Sequence, residues 1–167
     1  MIFMSQSGII DSAKNAAWDE WYREHLRVMR RVSGISSANR FKTGTPGWPP
    51  SLAMYSVASP AVFEDPYYLS VRGMGDWLPL IDRRYYRRNL FEGLDAAPTV
   101  KPGQVLLVTD QESPVEPIPA ISFSWLKTVG LDRTTPWRGI AVAAAGDAEW
   151  LRATPGVDVY VPSETQQ

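Results

Sequence analysis

The chain has 167 residues, of which 44% are hydrophobic and 21% charged, and its formal net charge is −1. This composition is typical of a globular protein, and the nearly neutral charge argues against nucleic acid or an anionic membrane as a partner. The sequence contains no cysteine and one histidine, which excludes disulfides, thiolate nucleophiles and multi-histidine metal sites within one chain. We therefore expect no cofactor, and a small molecule or a protein as partner.

The first half of the chain predicts alternating strands and helices. MIFMSQSG is typical of a strand, and Asp11 or Ser12 is placed to cap the helix that follows, which ends at Gly34. SSANRFKT and SLAMYSVA predict two further strands, and AVFEDPYYLSVRG predicts short helical turns broken by Pro66. RRYYRRNLFEGL predicts a strand, whose arginines on both faces favour a charged edge strand. The order is β-α-β-β-α-β.

The histidine, His25, is the main candidate for chemistry. It lies in the helical run AAWDEWYREHLRVMRRVSGI, where the helical period places it on the apolar face with Trp21 and Tyr22. Histidine has the side-chain pKa nearest neutrality, so among aromatic groups in a water-poor pocket it is suited to general acid or base catalysis. The alternative is a core histidine whose ring nitrogens are satisfied by structural hydrogen bonds.

Other candidates come from strands and from an irregular cover. Tyr55 alternates with Met54 along its strand, so the two side chains point to opposite faces, and Tyr55 is suited to orient a substrate oxygen. Arg40 offers a planar fork of donors for a carboxylate or an enolate, with a surface salt bridge as the alternative. The predicted substrate-binding residues are Trp21, Tyr22, Arg40, Tyr55, Tyr68, Trp77 and Tyr86.

The run WDEWYREHLRVMRRVSGISSANRF resembles the first helix and second strand of EthD-like proteins, which belong to the dimeric α+β barrel superfamily. The matching positions are Trp21, Tyr22, His25, Gly34 and Arg40. The resemblance implies an α+β, ferredoxin-like βαββαβ fold with an antiparallel sheet, a pocket between helices and sheet, and a homodimer whose two sheets face each other. Superfamily members include cofactor-free monooxygenases, polyketide cyclases, lactone isomerases and haem-binding enzymes, so the fold alone does not select the reaction.

The second half, after LDAAPTVKPG, predicts a strand in QVLLVTD, a short helix in ISFSWLKTVG, a strand in RGIAVAAAG, a helix in DAEWLRATPG and a strand in VDVYVP. We interpret residues 1–95 as one ferredoxin-like half and residues 96–167 as a second, degenerate half packed on it. If so, one chain has the strands to close a barrel with its own two sheets, although the superfamily norm favours pairing between chains. A single 18.7 kDa species in light scattering would contradict dimerisation.

The leading functional hypothesis is a cofactor-free cyclase, isomerase, lyase or monooxygenase that acts on a small aromatic or polyketide-like compound, with His25 as general acid or base. The alternatives are a non-catalytic barrel that binds an aromatic ligand or has a structural role, and a haem-binding protein with His25 as axial ligand. No basic segment precedes an apolar run at the N-terminus, and no run of about 18 apolar residues occurs, so we expect a cytoplasmic protein without membrane contact.

Overall fold

The computed structural model describes residues 1–163. Eight strands and three helices alternate with four short 3-10 segments, which lie at Ser12–Lys14, Pro60–Glu64, Gly75–Leu80 and Ala145–Asp147. In chain order the strands and helices are β1 (Ile2–Ser7), α1 (Asn15–Met29), β2 (Ile35–Lys42), β3 (Ser51–Val57), α2 (Pro66–Val71), β4 (Arg87–Glu92), β5 (Gln104–Gln111), β6 (Ser124–Leu131), β7 (Trp137–Ala144), α3 (Ala148–Arg152) and β8 (Val157–Pro162).

The eight strands form one closed antiparallel barrel in the order β1-β3-β2-β8-β5-β7-β6-β4, and β4 pairs with β1 to complete the ring. The strands of the first half are neighbours, and so are those of the second half. Two seams join the halves: β2 with β8 through two residue pairs, and β4 with β6 through four. Closure leaves no free edge in the sheet.

The barrel lumen is filled with apolar side chains, because alternate residues of each strand point inwards. All eight strands contribute to this cluster: Ile2, Met4, Phe41, Leu52, Met54, Phe91, Leu106, Val108, Leu126, Ile140 and Tyr160. One arginine, Arg138, is also fully buried, and it donates hydrogen bonds to Asp110 and Gln6. The lumen is therefore a packed core, so a ligand site is to be sought on the outside of the barrel.

The prediction of a ferredoxin-like α+β fold in a dimeric α+β barrel, with a reduced repeat in the C-terminal half, is wrong. The two halves do not form separate sheets that need a second subunit to cover them, because their strands hydrogen-bond edge to edge in a single closed ring. The apolar face that the prediction assigned to a second subunit is the lumen, and this chain fills it alone. The helical content is also small: α2 has six residues and α3 has five.

Two local predictions are wrong for related reasons. ISFSWLKTVG contains the strand β6, and no helix separates it from β5; the apolar residue Leu126 of this strand points into the lumen. Residues 83–85 form a turn, so the strand β4 begins only at Arg87. Because β4 pairs with both β1 and β6, it is not an edge strand.

No helix within residues 1–163 combines the length and the apolar character that crossing a membrane requires.

Candidate functional site

Helix α1 is the element that positions the candidate catalytic residue. Asp11 accepts a hydrogen bond from the backbone N–H of Ala13 at 3.1 Å and so caps the 3-10 turn that leads into α1. Trp18, Tyr22 and Met29 are buried at helical spacing, which fixes this face of α1 against the outside of the barrel. His25 lies on the same face and is half-buried.

A layer of aromatic rings holds His25 in place. Its imidazole stacks on the indole of Trp21, with centroids 4.8 Å apart and an angle of 11° between the planes, and it meets the ring of Tyr22 edge-on at 6.0 Å. Trp21 in turn stacks on Trp18 at 5.1 Å, and Trp77 packs edge-on against Trp18 at 5.1 Å. The indoles therefore cover one face of the histidine ring and shield it from solvent.

His25 faces a cavity of about 180 Å³ that lies between the helices and the outer face of β1, β3 and β4. The structure brings five of the eight predicted site residues together around this cavity, contributed by two helices, a strand and the segment before β4. These residues are Tyr22, His25, Tyr55, Tyr68 and Tyr86.

The remaining three predicted residues, Trp21, Arg40 and Trp77, do not line this cavity. Trp21 and Trp77 form the aromatic layer behind it. The side chain of Arg40 is buried, and it donates to Asp19 Oδ1 at 2.9 Å and to Ser51 Oγ at 2.8 Å. Its guanidinium lies 4.1 Å from the ring centroid of Tyr22, so Arg40 packs against that phenol while its Nε and Nη1 are hydrogen-bonded within the protein.

The electrostatics of the cavity favour a neutral histidine. Burial lowers the pKa of His25 from 6.5 to about 4, because imidazolium loses its hydration there. Among the described residues, no carboxylate lines the cavity to stabilise the protonated ring. His25 is therefore unprotonated at neutral pH and available as a proton acceptor.

The four phenols around the cavity stay protonated at neutral pH. Burial raises the pKa of Tyr22, Tyr55, Tyr68 and Tyr86. For Tyr22 and Tyr55 the charge of Arg40 opposes this rise, and for Tyr68 and Tyr86 the charges of Arg72 and Arg88 oppose it. Neutral phenols are hydrogen-bond donors, so the cavity offers O–H groups to an oxygen-bearing ligand.

Sequence reasoning missed two basic residues of the cavity, Arg72 and Arg88. Arg72 follows α2, where the sequence shows only one arginine after a short helix. Arg88 belongs to the arginine-rich run RRYYRRN, which the sequence predicts to be a charged strand edge. The run itself signals basic residues, but the turn at residues 83–85 decides which arginine faces the site.

Within residues 1–163, no group of three histidine, aspartate or glutamate side chains is arranged to hold a metal ion. No model of a known protein family matches the chain, and comparison with curated proteins finds no match. The resemblance to EthD-like proteins remains a prediction from the α1–β2 motif.

Proposed function

We propose that this protein is a cofactor-free enzyme that transfers a proton on a small aromatic or polyketide-like compound, with His25 as general base. One observation carries the proposal: a neutral imidazole faces a cavity lined by four phenols and by no carboxylate of the described residues. A base must be unprotonated at working pH and within reach of the substrate, and His25 meets the first condition above a pH of about 4.

The surrounding phenols stabilise the negative charge that proton removal creates on the substrate. Removal of a proton next to a carbonyl leaves negative charge on the oxygen, and hydrogen-bond donors already in place stabilise that charge. Tyr22, Tyr55, Tyr68 and Tyr86 are such donors, because burial keeps them protonated. If the proton returns to another atom of the substrate, the reaction is an isomerisation. If the enolate attacks another carbon of the same molecule, the product is cyclic, and if it expels a leaving group, the reaction is that of a lyase.

The cavity volume supports a compound with one ring. A cavity of about 150 Å³ lined by apolar groups accommodates benzene, so about 180 Å³ accommodates a single ring with small substituents. This volume favours a monocyclic compound over haem, whose macrocycle joins four rings. We therefore do not propose His25 as a haem ligand.

The Kemp elimination of 5-nitrobenzisoxazole tests the proposal, because it needs only a base beside a small aromatic ring. The base removes the C3 proton, the N–O bond breaks, and a coloured cyanophenolate forms. We expect the wild-type protein to accelerate this reaction about 100-fold or more above the His25→Gln variant. The rate constant should be level from neutral pH down to about pH 5 and should fall near pH 4. Equal rates for the two proteins would contradict the assignment of His25.

A binding protein without catalysis is the second candidate, and one observation favours it. Among the described residues, none hydrogen-bonds to the ring of His25 to fix its tautomer, whereas catalytic histidines are usually oriented by a third group. This alternative predicts that small aromatic compounds bind to wild-type protein and that His25→Gln changes their affinity without any turnover to lose.

We further propose that the protein acts in the cytoplasm and that it forms a homodimer, as the sequence analysis predicts. The barrel closes within one chain, so a dimer would not be required to cover the apolar side of the sheet.

A further inference from the structure

Two arginines give the cavity a positive wall. Both Arg72 and Arg88 line it. The backbone N–H of Arg88 donates to Asp132 Oδ2 at 2.8 Å, and its Nη2 donates to Asp132 Oδ1 at 3.2 Å. No carboxylate within residues 1–163 forms a salt bridge with Arg72. One carboxylate therefore balances two guanidinium groups.

One donor of this wall is buried and unused. Arg88 Nε is shielded from solvent and has no hydrogen-bond partner. Buried donors on charged groups are almost always paired, since leaving one unpaired costs free energy. This guanidinium therefore keeps one donor without an acceptor, although Asp132 pairs with its Nη2.

The positive wall lies beside Tyr68 and Tyr86, which line the same cavity. Burial raises the pKa of Tyr68 and Tyr86, and the charges of Arg72 and Arg88 oppose that rise. The same cavity is lined by His25, so one ligand can contact both the arginines and the imidazole.

We infer that the cavity binds a monocyclic aromatic or enolic acid, whose carboxylate lies against Arg72 and Arg88 and whose ring lies among the tyrosines beside His25. The charge of the wall selects the carboxylate, since guanidinium and carboxylate form paired charge-assisted hydrogen bonds. The cavity volume selects the single ring. The inference deepens the proposed function, because it rests on the same cavity and names its substrate class.

Benzoate and benzamide provide the direct test, since they share size and shape and differ in charge. Because His25 is the only histidine, its imidazole gives a single NMR signal that reports binding in this cavity. We expect benzoate to bind about tenfold or more tightly than benzamide. Bound benzoate should also change the chemical shift of this signal, because its ring lies beside the imidazole.

Variants of Arg72 and Arg88 test whether these residues cause the preference for benzoate over benzamide. Arg72 is exposed, so Arg72→Gln should fold normally and should lose most of the tenfold preference for benzoate; Arg88→Gln should have the same effect. Arg83→Gln removes an equal charge from the exposed turn before β4 and should leave the preference unchanged. The inference is overturned if benzamide binds as tightly as benzoate, if neither binds, or if Arg72→Gln and Arg88→Gln keep the preference.

This test and the Kemp elimination can fail independently. If the protein prefers benzoate but its elimination rate does not depend on His25, the acid-binding site stands and the proposed enzyme activity is contradicted. If the elimination depends on His25 but benzoate is not preferred, the enzyme activity stands and the proposed acid substrate is contradicted.

Discussion

At the scale of single residues, His25 controls how the protein responds to acid. The folded state keeps the imidazole neutral down to a pH of about 4, whereas the unfolded chain takes up a proton near pH 6.5. Between these values the unfolded state binds more protons, so the free energy of unfolding falls as the pH drops. A shift of this size corresponds to about 3 kcal/mol.

We therefore expect the free energy of unfolding of wild type to fall relative to that of His25→Gln by up to about 3 kcal/mol as the pH is lowered from about 6.5 to 4. Burial raises the pKa of the Tyr22, Tyr55, Tyr68 and Tyr86 phenols, so they stay protonated throughout this window and the variant isolates the histidine. Urea denaturation at several pH values measures the difference, and NMR titration gives the pKa directly. Parallel stability curves would show that His25 is not held neutral.

The residues that sequence alone placed correctly are those governed by short periods. Alternation along β3 put Tyr55 and Met54 on opposite faces, and the structure shows Tyr55 under the helices and Met54 in the lumen. The helical period put Tyr22 and His25 on one face of α1. Arg40 donates to Asp19 of α1 and to Ser51 of β3; no local pattern in the sequence reveals which partners it has.

At the scale of elements, the turn from α1 to β2 depends on Gly34. Its φ is +85°, in the left-handed region that favours glycine, and a Cβ there would lie 2.7 Å from Val62 Cγ2 of the 3-10 segment Pro60–Glu64. Helix α1 ends at Met29, with Arg30 as its C-cap, before the glycine that the sequence predicted as its end, and Gly34 instead turns the chain into β2. The contact with Val62 depends on the tertiary fold and was not predictable.

We expect Gly34→Ala to lower the free energy of unfolding by about 2 kcal/mol, since left-handed backbone costs alanine about 1–2 kcal/mol and the methyl group also displaces Val62. Gly146→Ala is the matched control: a Cβ at Gly146 meets no atom within 4 Å, and its φ is not in the left-handed region. Thermal or urea denaturation measures both variants. Equal stability of the two would contradict the role assigned to Gly34.

At the scale of the whole molecule, the sequence showed which segments are strands but not how they close. The sequence predicts six of the eight strands in place and starts β4 too early. It predicts a helix for β6, because SWLKTVGL has no clean alternation between apolar and polar residues. Without β6 the second half lacks the strand that pairs with β4. The closed barrel therefore differs from the predicted fold, in which closure within one chain is only an alternative to pairing between chains.

The shared lumen predicts that the chain unfolds in one step. Residues from both sides of position 95, such as Met54 and Leu106, belong to one buried cluster, so neither half keeps its core when the other unfolds. We expect coincident urea transitions by tryptophan fluorescence and by far-ultraviolet circular dichroism. Two separate transitions would support the division into units 1–95 and 96–167, which remains a prediction.

The packed lumen has a consequence for how this protein can change. The candidate cavity lies outside a barrel whose lumen is already full. Tyr68 belongs to a second buried cluster under the helices, whereas Arg72 is exposed and belongs to neither cluster. Substitution at Arg72 can therefore change the charge of the cavity without disturbing either core, which makes this position the one at which new specificities are most readily selected.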